Sequence, residues 1–142
     1  MIVKGEKLAV DNIKRILLIQ LGDIGDVVLT TPTMRILRQN FTSSTIFLLV
    51  HEHVRGIVEN CPWVDGAISV EKNRMRLREK IDYHKNFLTL LRRERFELTI
   101  DLRAGTRGAI LSLLSGASIR VGRYSENGTL WRNRLFTHLV RP

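Results

Sequence analysis

Residues 15–37 read RILLIQLGDIGDVVLTTPTMRIL, and the fold turns on this stretch. Residues 16–21 are a short apolar run rich in branched side chains, with turn residues directly behind it. That is how a strand buried on both faces of a parallel sheet reads. Gly22-Asp23-Ile24-Gly25 is the turn, where glycine permits a sharp reversal and a close approach to the backbone. From Asp26 the apolar residues fall at helical spacing: Val27, Val28, Met34, Ile36 and Leu37. Pro32 interrupts them. Either Thr31 caps a helix with Pro32 in its first turn, or one helix begins near Asp26 and bends at Pro32. In both cases Asp26 stands where a strand hands over to a helix.

A strand, a glycine turn and a helix also open a dinucleotide-binding unit. The glycines here are only Gly22-x-x-Gly25, one short of G-x-G-x-x-G, and no Lys-Ser or Lys-Thr pair marks a P-loop. Asp26 would repel a pyrophosphate from the helix start, and the helix dipole favours its negative charge. An ionised carboxylate on a glycine-lined rim can take a proton from a sugar hydroxyl. Asp23 and Asp26 also suit plain helix caps, and the local pattern by itself favours the caps.

With 142 residues, 44% of them hydrophobic and 26% charged, the chain has the size and composition of one soluble globular domain. No apolar run reaches membrane-span length, and residues 1–13 lack the apolar core of a signal peptide. The single cysteine, Cys61, excludes an internal disulfide and reads as a buried small residue. The net charge of +9 is lopsided. Up to residue 71 there are seven Lys or Arg against eight Asp or Glu; beyond it, sixteen against six. Such a field attracts anionic partners, although a solvated basic surface has the same composition.

Further strands are expected at residues 45–50 (TIFLLV), 66–70 (GAISV), 96–102 (FELTIDL) and 119–122 (IRVG), making a mostly parallel sheet of about five strands. His51 and His53 would share one face of a strand end, with no further metal ligand nearby. Glu52 sits where a dinucleotide enzyme keeps its ribose acid, but the glycines do not support that role. Residues 72–80, KNRMRLREK, read as a basic loop or the solvated start of a helix over residues 75–95. Leu77, Ile81, His84, Leu88 and Leu91 would be its buried stripe. The turn Arg103-Ala104-Gly105-Thr106-Arg107 repeats the first unit and would bring Arg103 and Arg107 to the rim that carries Asp26. Arginine at a helix start opposes the dipole, so an anionic ligand group or a salt bridge to Asp101 or Asp26 should hold it. Residues 123–134 read as loop with an Asn127-Gly128 turn, and Trp131 as a sugar-stacking, membrane-surface or half-buried side chain.

LGDIGDVVLTTPTMRILRQNF resembles the N-terminal signature of glycosyltransferase family 9, the lipopolysaccharide heptosyltransferases. ENCPWVDGAI, FELTIDLRAGTRGAILSLLSGASIRVG and LFTHLV follow in the family's order, so the resemblance runs from Lys14 onward, with His138 at a recurrent histidine. It implies a Rossmann-like three-layer domain, the N-terminal, acceptor-side half of a two-domain GT-B enzyme. Residues 1–13 are then an extension and 14–142 the domain, without the donor-side domain. It further implies transfer of a sugar, heptose from ADP-heptose, to the anionic inner core of lipid A at the cytoplasmic face of the inner membrane. Asp26 would be the general base. Gly22, Asp23 and Gly25 would shape the rim, and Arg103 and Arg107 would bind acceptor acids. No metal or cofactor beyond the nucleotide-sugar is implied, and no nucleic acid. By itself the chain is expected to bind donor poorly and turn over little. Two other classes remain: a non-catalytic module that binds an anionic glycolipid or a subunit, and a dinucleotide-binding Rossmann oxidoreductase domain.

Overall fold

The computed structural model describes residues 2–8, 10–71, 76–126 and 130–141. Its centre is β2 (Arg15–Ile19), whose side chains alternate between two apolar cores. Ile16 and Leu18 enter one core, Leu17 and Ile19 the other, and all four are fully buried. Each such side chain contributes about 1.5–3 kcal/mol on leaving water. A strand this apolar on both faces is stable only between two helical layers.

Those layers follow in chain order. After β2 come α1 (Ile24–Leu29), α2 (Thr31–Asn40), β3 (Thr45–His51), a 3₁₀ turn (Glu52–Val54) and α3 (Arg55–Val58). Val27, Met34, Leu37, Val54 and Val58 from these helical segments cover the face of Ile16 and Leu18. Then β4 (Gly66–Val70) leads to the long α4 (Leu77–Arg93), β5 (Leu98–Asp101) and α5 (Thr106–Leu114). Phe87, Leu91 and Leu111 from the two helices cover the face of Leu17 and Ile19. The chain continues through β6 (Ile119–Arg123), α6 (Leu130–Arg134) and β7 (His138–Val140), and β7 pairs with β1 (Ile2–Lys4).

The sheet order is β1-β7-β6-β5-β2-β3-β4. The six strands β2 to β7 are parallel, and β1 joins β7 antiparallel. From β2 the chain winds outward through β3 and β4, then returns beside β2 at β5 and winds out the other way. Strand order therefore reverses between β2 and β5. In an open α/β sheet, the loops leaving the carboxyl ends of those two strands part there and leave a crevice.

The Rossmann-like reading holds, with seven strands instead of about five. The two extra ones, β1 and β7, are three residues each, too short to show periodicity. At Pro32 the chain makes two helices: α1 ends before Thr30, and Thr30, not Thr31, is the N-cap of α2. Proline has no N–H to carry the first ladder on. The stripe expected on α4 is corrected: Leu77, Ile81 and His84 are exposed, Leu88 is half-buried, and Phe87 and Leu91 make the contact, with Tyr83 stacked on Phe87. The first two turns of α4 run past the core they would need to pack on. Residues 72–75 and the Asn127-Gly128 turn lie outside the described residues. The loop expected over 123–134 contains the short helix α6. Cys61 is half-buried at the edge of the first core.

Candidate active site at the strand-order reversal

The turn after β2 and the turn after β5 face each other across the crevice. Asp26, in the first turn of α1, accepts the Asp23 N–H on Oδ2 at 3.2 Å, as a capping carboxylate does. The same oxygen accepts Arg103 Nη1 from the β5 turn at 2.6 Å. Both side chains are 47% exposed. The cap and ion-pair readings of these residues are thus both realised. Oδ1 of Asp26 carries no hydrogen bond among the described residues. Gly22 makes the arrangement fit: a Cβ there would collide with Asp26 Oδ2 and lie 2.5 Å from Arg103 Nη1. Asp26 puts a negative charge at the helix start, where a pyrophosphate would have to sit in a dinucleotide fold. Gly25 differs, because a Cβ there would meet nothing within 4 Å. Asp23 is exposed, with Oδ1 3.8 Å from His53 Nε2.

A cleft of about 450 Å³ opens beside the pair, lined among others by Gln20, Asp26, Thr30, Thr33, Arg103 and Arg123. Gln20 is oriented from below: Thr30 Oγ1 donates to the Asp26 carbonyl at 2.7 Å, so it accepts from Gln20 Nε2 at 2.9 Å. Arg107 is elsewhere. Its Nη2 donates to the Glu71 carbonyl at 3.2 Å, just after β4, and it does not line the cleft. Asp26 and Arg103 are brought together; Arg107 stands apart from them.

Beneath the β5 turn lies a buried pair. Arg132 is 0% exposed and Asp101 3%. Arg132 Nη2 sits 3.7 Å from Asp101 Oδ2, an ion pair without a hydrogen bond, and that oxygen is buried with no donor among the described residues. Burial pushes the Asp101 carboxyl up to about 7, against the Arg103 N–H and the Arg132 and Arg103 charges, which pull it down. Burial also lowers the Arg132 guanidinium's pKa, and Asp101 opposes that shift. Arg132 further donates to the carbonyls of Gly105 (3.0 Å), Arg123 (2.8 Å) and Arg103 (2.9 Å), and stacks over Phe136 at 5.0 Å. The Arg103 N–H bonds Asp101 Oδ1 at 3.1 Å. The loop that aims Arg103 at Asp26 is therefore fixed from inside. The sequence reading places Arg132 in a loop over residues 123–134, without marking it as buried. Gly108 leaves room for the Asp101 carboxylate, because a Cβ there would lie 2.5 Å from both of its oxygens.

His51 and His53 stack at 5.7 Å, but the chain turns into the 3₁₀ segment between them, and they do not share a strand face. His138 packs against Gly5 at the sheet edge and bonds Thr137 Oγ1 at 2.8 Å.

Fold and site together define a doubly wound, Rossmann-like α/β domain with a carboxylate–guanidinium pair at its switch point. Solved structures share that fold. Glycosyl transferase family 9 from Veillonella parvula superposes with a TM-score of 0.77 at 23% identity, over 96% of this chain and 38% of that one. Escherichia coli ADP-heptose lipopolysaccharide heptosyltransferase II gives 0.70 at 21% identity, over 88% of this chain and 34% of that one. Among curated proteins, the chain is 26% identical over 118 residues to lipopolysaccharide heptosyltransferase 3 of Escherichia coli, 82% of this chain and 34% of that protein. The same enzyme of strain K12 is 25% identical over 119 residues. The resemblance to heptosyltransferases read from the sequence is therefore found by comparison too. The chain spans about a third of the length of these relatives. No family model matches it.

Proposed function

We propose that this chain is the acceptor-side domain of a heptosyltransferase-like glycosyltransferase. In this reading Asp26 removes the proton from an acceptor sugar hydroxyl. The resulting oxygen attacks the anomeric carbon of a nucleotide-sugar, ADP-heptose by analogy with the relatives, and the nucleoside diphosphate leaves. The observation that carries the reading is Asp26 itself. It is a carboxylate at the strand-order reversal with Oδ1 unengaged among the described residues, gripped on Oδ2 by Arg103 at 2.6 Å. A base held on one oxygen keeps the other aimed. Gly22 permits the grip, and Asp23 fixes the helix start. The nucleotide-sugar is the only co-reactant in this scheme.

The acceptor in this reading is anionic lipid A carrying its inner core, met by peripheral contact at the cytoplasmic face of the inner membrane. The exposed first turns of α4 support such contact. Leu77 and Ile81 are 77% and 49% exposed, among Arg76, Arg78 and Lys80, the composition of an interfacial helix face. Among the described residues no helix is long and apolar enough to cross a membrane.

The test is a chimera in which this chain replaces the matching third of Escherichia coli heptosyltransferase 3. Transfer from ADP-heptose to heptose-deficient lipopolysaccharide is expected, with a loss of at least about a hundredfold on Asp26→Asn. A folded chimera that transfers equally well with Asp26→Asn would refute the assignment. Efficient transfer by the 142-residue chain alone would refute the division of labour between two domains.

A further inference from the structure

The helix that carries Asp26, α1, is six residues long, and Val27 is its one buried side chain. A helix this short is not stable in water by itself. The carboxylate of Asp26 is therefore only as well placed as α1 is. One polar tie reaches α1 from the sheet. Gln20 directly follows β2, and its N–H bonds the Leu49 carbonyl of β3 at 3.0 Å, so its main chain belongs to the rigid centre. Its buried side chain donates Nε2 to Thr30 Oγ1 at 2.9 Å. Thr30, also buried, gives its one hydroxyl proton to the carbonyl of Asp26 itself at 2.7 Å. Thr30 closes α1 and opens α2, so the tie lies at the joint between them. It comes at a cost. With Nε2 turned to Thr30, Gln20 Oε1 is buried and has no donor among the described residues. A buried acceptor left without a donor loses at least as much as one neutral hydrogen bond gains, so an apolar side chain of equal volume would serve stability as well or better. Packing alone does not account for glutamine here.

We propose that Gln20 is the positioning residue of Asp26: through Thr30 it fixes α1 to the end of β2, and so holds the main chain from which the carboxylate projects. Arg103 restrains the same residue from the β5 side, at Oδ2. Ties from two neighbouring strands thus fix both the place and the direction of one side chain. A base must lie within hydrogen-bond reach of the proton it removes, and small displacements of a reacting group lower a rate steeply. Gln20 takes no proton and acts only through the Asp26 backbone. The inference rests on the reading of Asp26 as the base and adds to it a residue outside both glycine turns.

Two variants break the tie from its two ends. Gln20→Met keeps the volume and removes both the donor and the stranded acceptor; Thr30→Val removes the hydroxyl within the same shape. In the chimera with Escherichia coli heptosyltransferase 3, Gln20→Met should lower kcat about tenfold, the worth of one hydrogen bond, and leave KM for donor and acceptor within about twofold. Its Tm should equal the parent's or exceed it. Thr30→Val should lower kcat by a similar factor, and the double variant by no more than either, since both break one tie. Thr30→Ser, which keeps the hydroxyl, should restore most of the rate. In the 142-residue chain, the Val27 and Thr30 amides bond along α1, and their hydrogen exchange should quicken about tenfold in Gln20→Met while that of β2 stays as it was. A fall in kcat matched by a fall in Tm in Gln20→Met would make Gln20 a packing residue and overturn the proposal. So would an unchanged kcat, a double variant equal to the product of the single effects, or unchanged exchange in α1. The two readings fail separately. Faster α1 exchange in Gln20→Met, beside a chimera indifferent to Asp26→Asn, keeps the tie and loses the glycosyltransferase. An Asp26-dependent chimera whose rate ignores Gln20 does the reverse.

Discussion

Arg132 and Asp101 face each other 3.7 Å apart at the carboxyl end of β5, both almost completely withdrawn from water. Neither lines the cleft, yet both arginines on its wall, Arg103 and Arg123, are tied to them through the backbone. Arg132 ties the carbonyls of Arg103, Gly105 and Arg123, and Asp101 ties the Arg103 N–H.

Removing one member leaves the other buried without its counter-charge. Arg132→Met should destabilise the domain by about 3–5 kcal/mol, measured by urea unfolding. At pH 8, above the Asp101 pKa of about 7, Asp101→Asn in the same background should recover part of that loss, because no carboxylate is then stranded. A double mutant equal to the sum of the single mutants would show that the two residues are not coupled.

The raised carboxyl of Asp101 makes a pH prediction of definite sign. Its folded pKa, about 7, lies above the ordinary 3.8. Between those values the folded chain holds a proton that the unfolded chain has released. Its contribution to stability is therefore complete below about pH 4 and fades as pH rises through 7. Unfolding free energy should fall between pH 5 and 8 by an amount on the order of 3 kcal/mol from this group, and Asp101→Asn should flatten that slope. A wild-type curve parallel to that of Asp101→Asn would contradict the assignment.

Gly22 and Gly25 should behave oppositely. Gly22→Ala drives a methyl group into Asp26 and Arg103, so transfer by the chimera should collapse. Gly25→Ala meets open space within α1 and should stabilise the helix by about 0.5–1 kcal/mol. If substrate approaches the backbone there, as the rim reading holds, its affinity should fall while Tm rises. Unchanged substrate binding in Gly25→Ala would remove Gly25 from the site.

The exposed start of α4 gives a separate test. Binding to vesicles containing anionic lipid should weaken on Leu77→Ser with Ile81→Ser, and also with rising salt, since the contact combines apolar and cationic residues. Equal binding to neutral vesicles would count against it.

The central unit was readable because its signals are local. An apolar run over residues 16–21, two glycines and a carboxylate lie within eleven residues, and sheet topology then fixes where they go. Arg103 was also readable, since a basic residue at a strand end before a helix demands a partner. Arg107 obeys the same local rule but reaches the Glu71 carbonyl, a choice made by the fold and not by its neighbours. Arg132 was illegible: among so many surface arginines, nothing local marks the one that is buried. The α4 stripe failed for a related reason. Helical spacing shows which face is apolar, but not how far along the helix a partner extends.

The pairing of β1 with β7 joins residue 2 to residue 140. On the ribosome, residues 2–4 are made well before the strand they pair with, so β1 has to wait for its place. Until residues 138–140 have been synthesised and β6 has formed, residues 2–4 have no strand to join. The early nascent chain must therefore close its β2–β5 centre with that edge open. Docking of β1 should be among the latest events of folding and among the first to reverse.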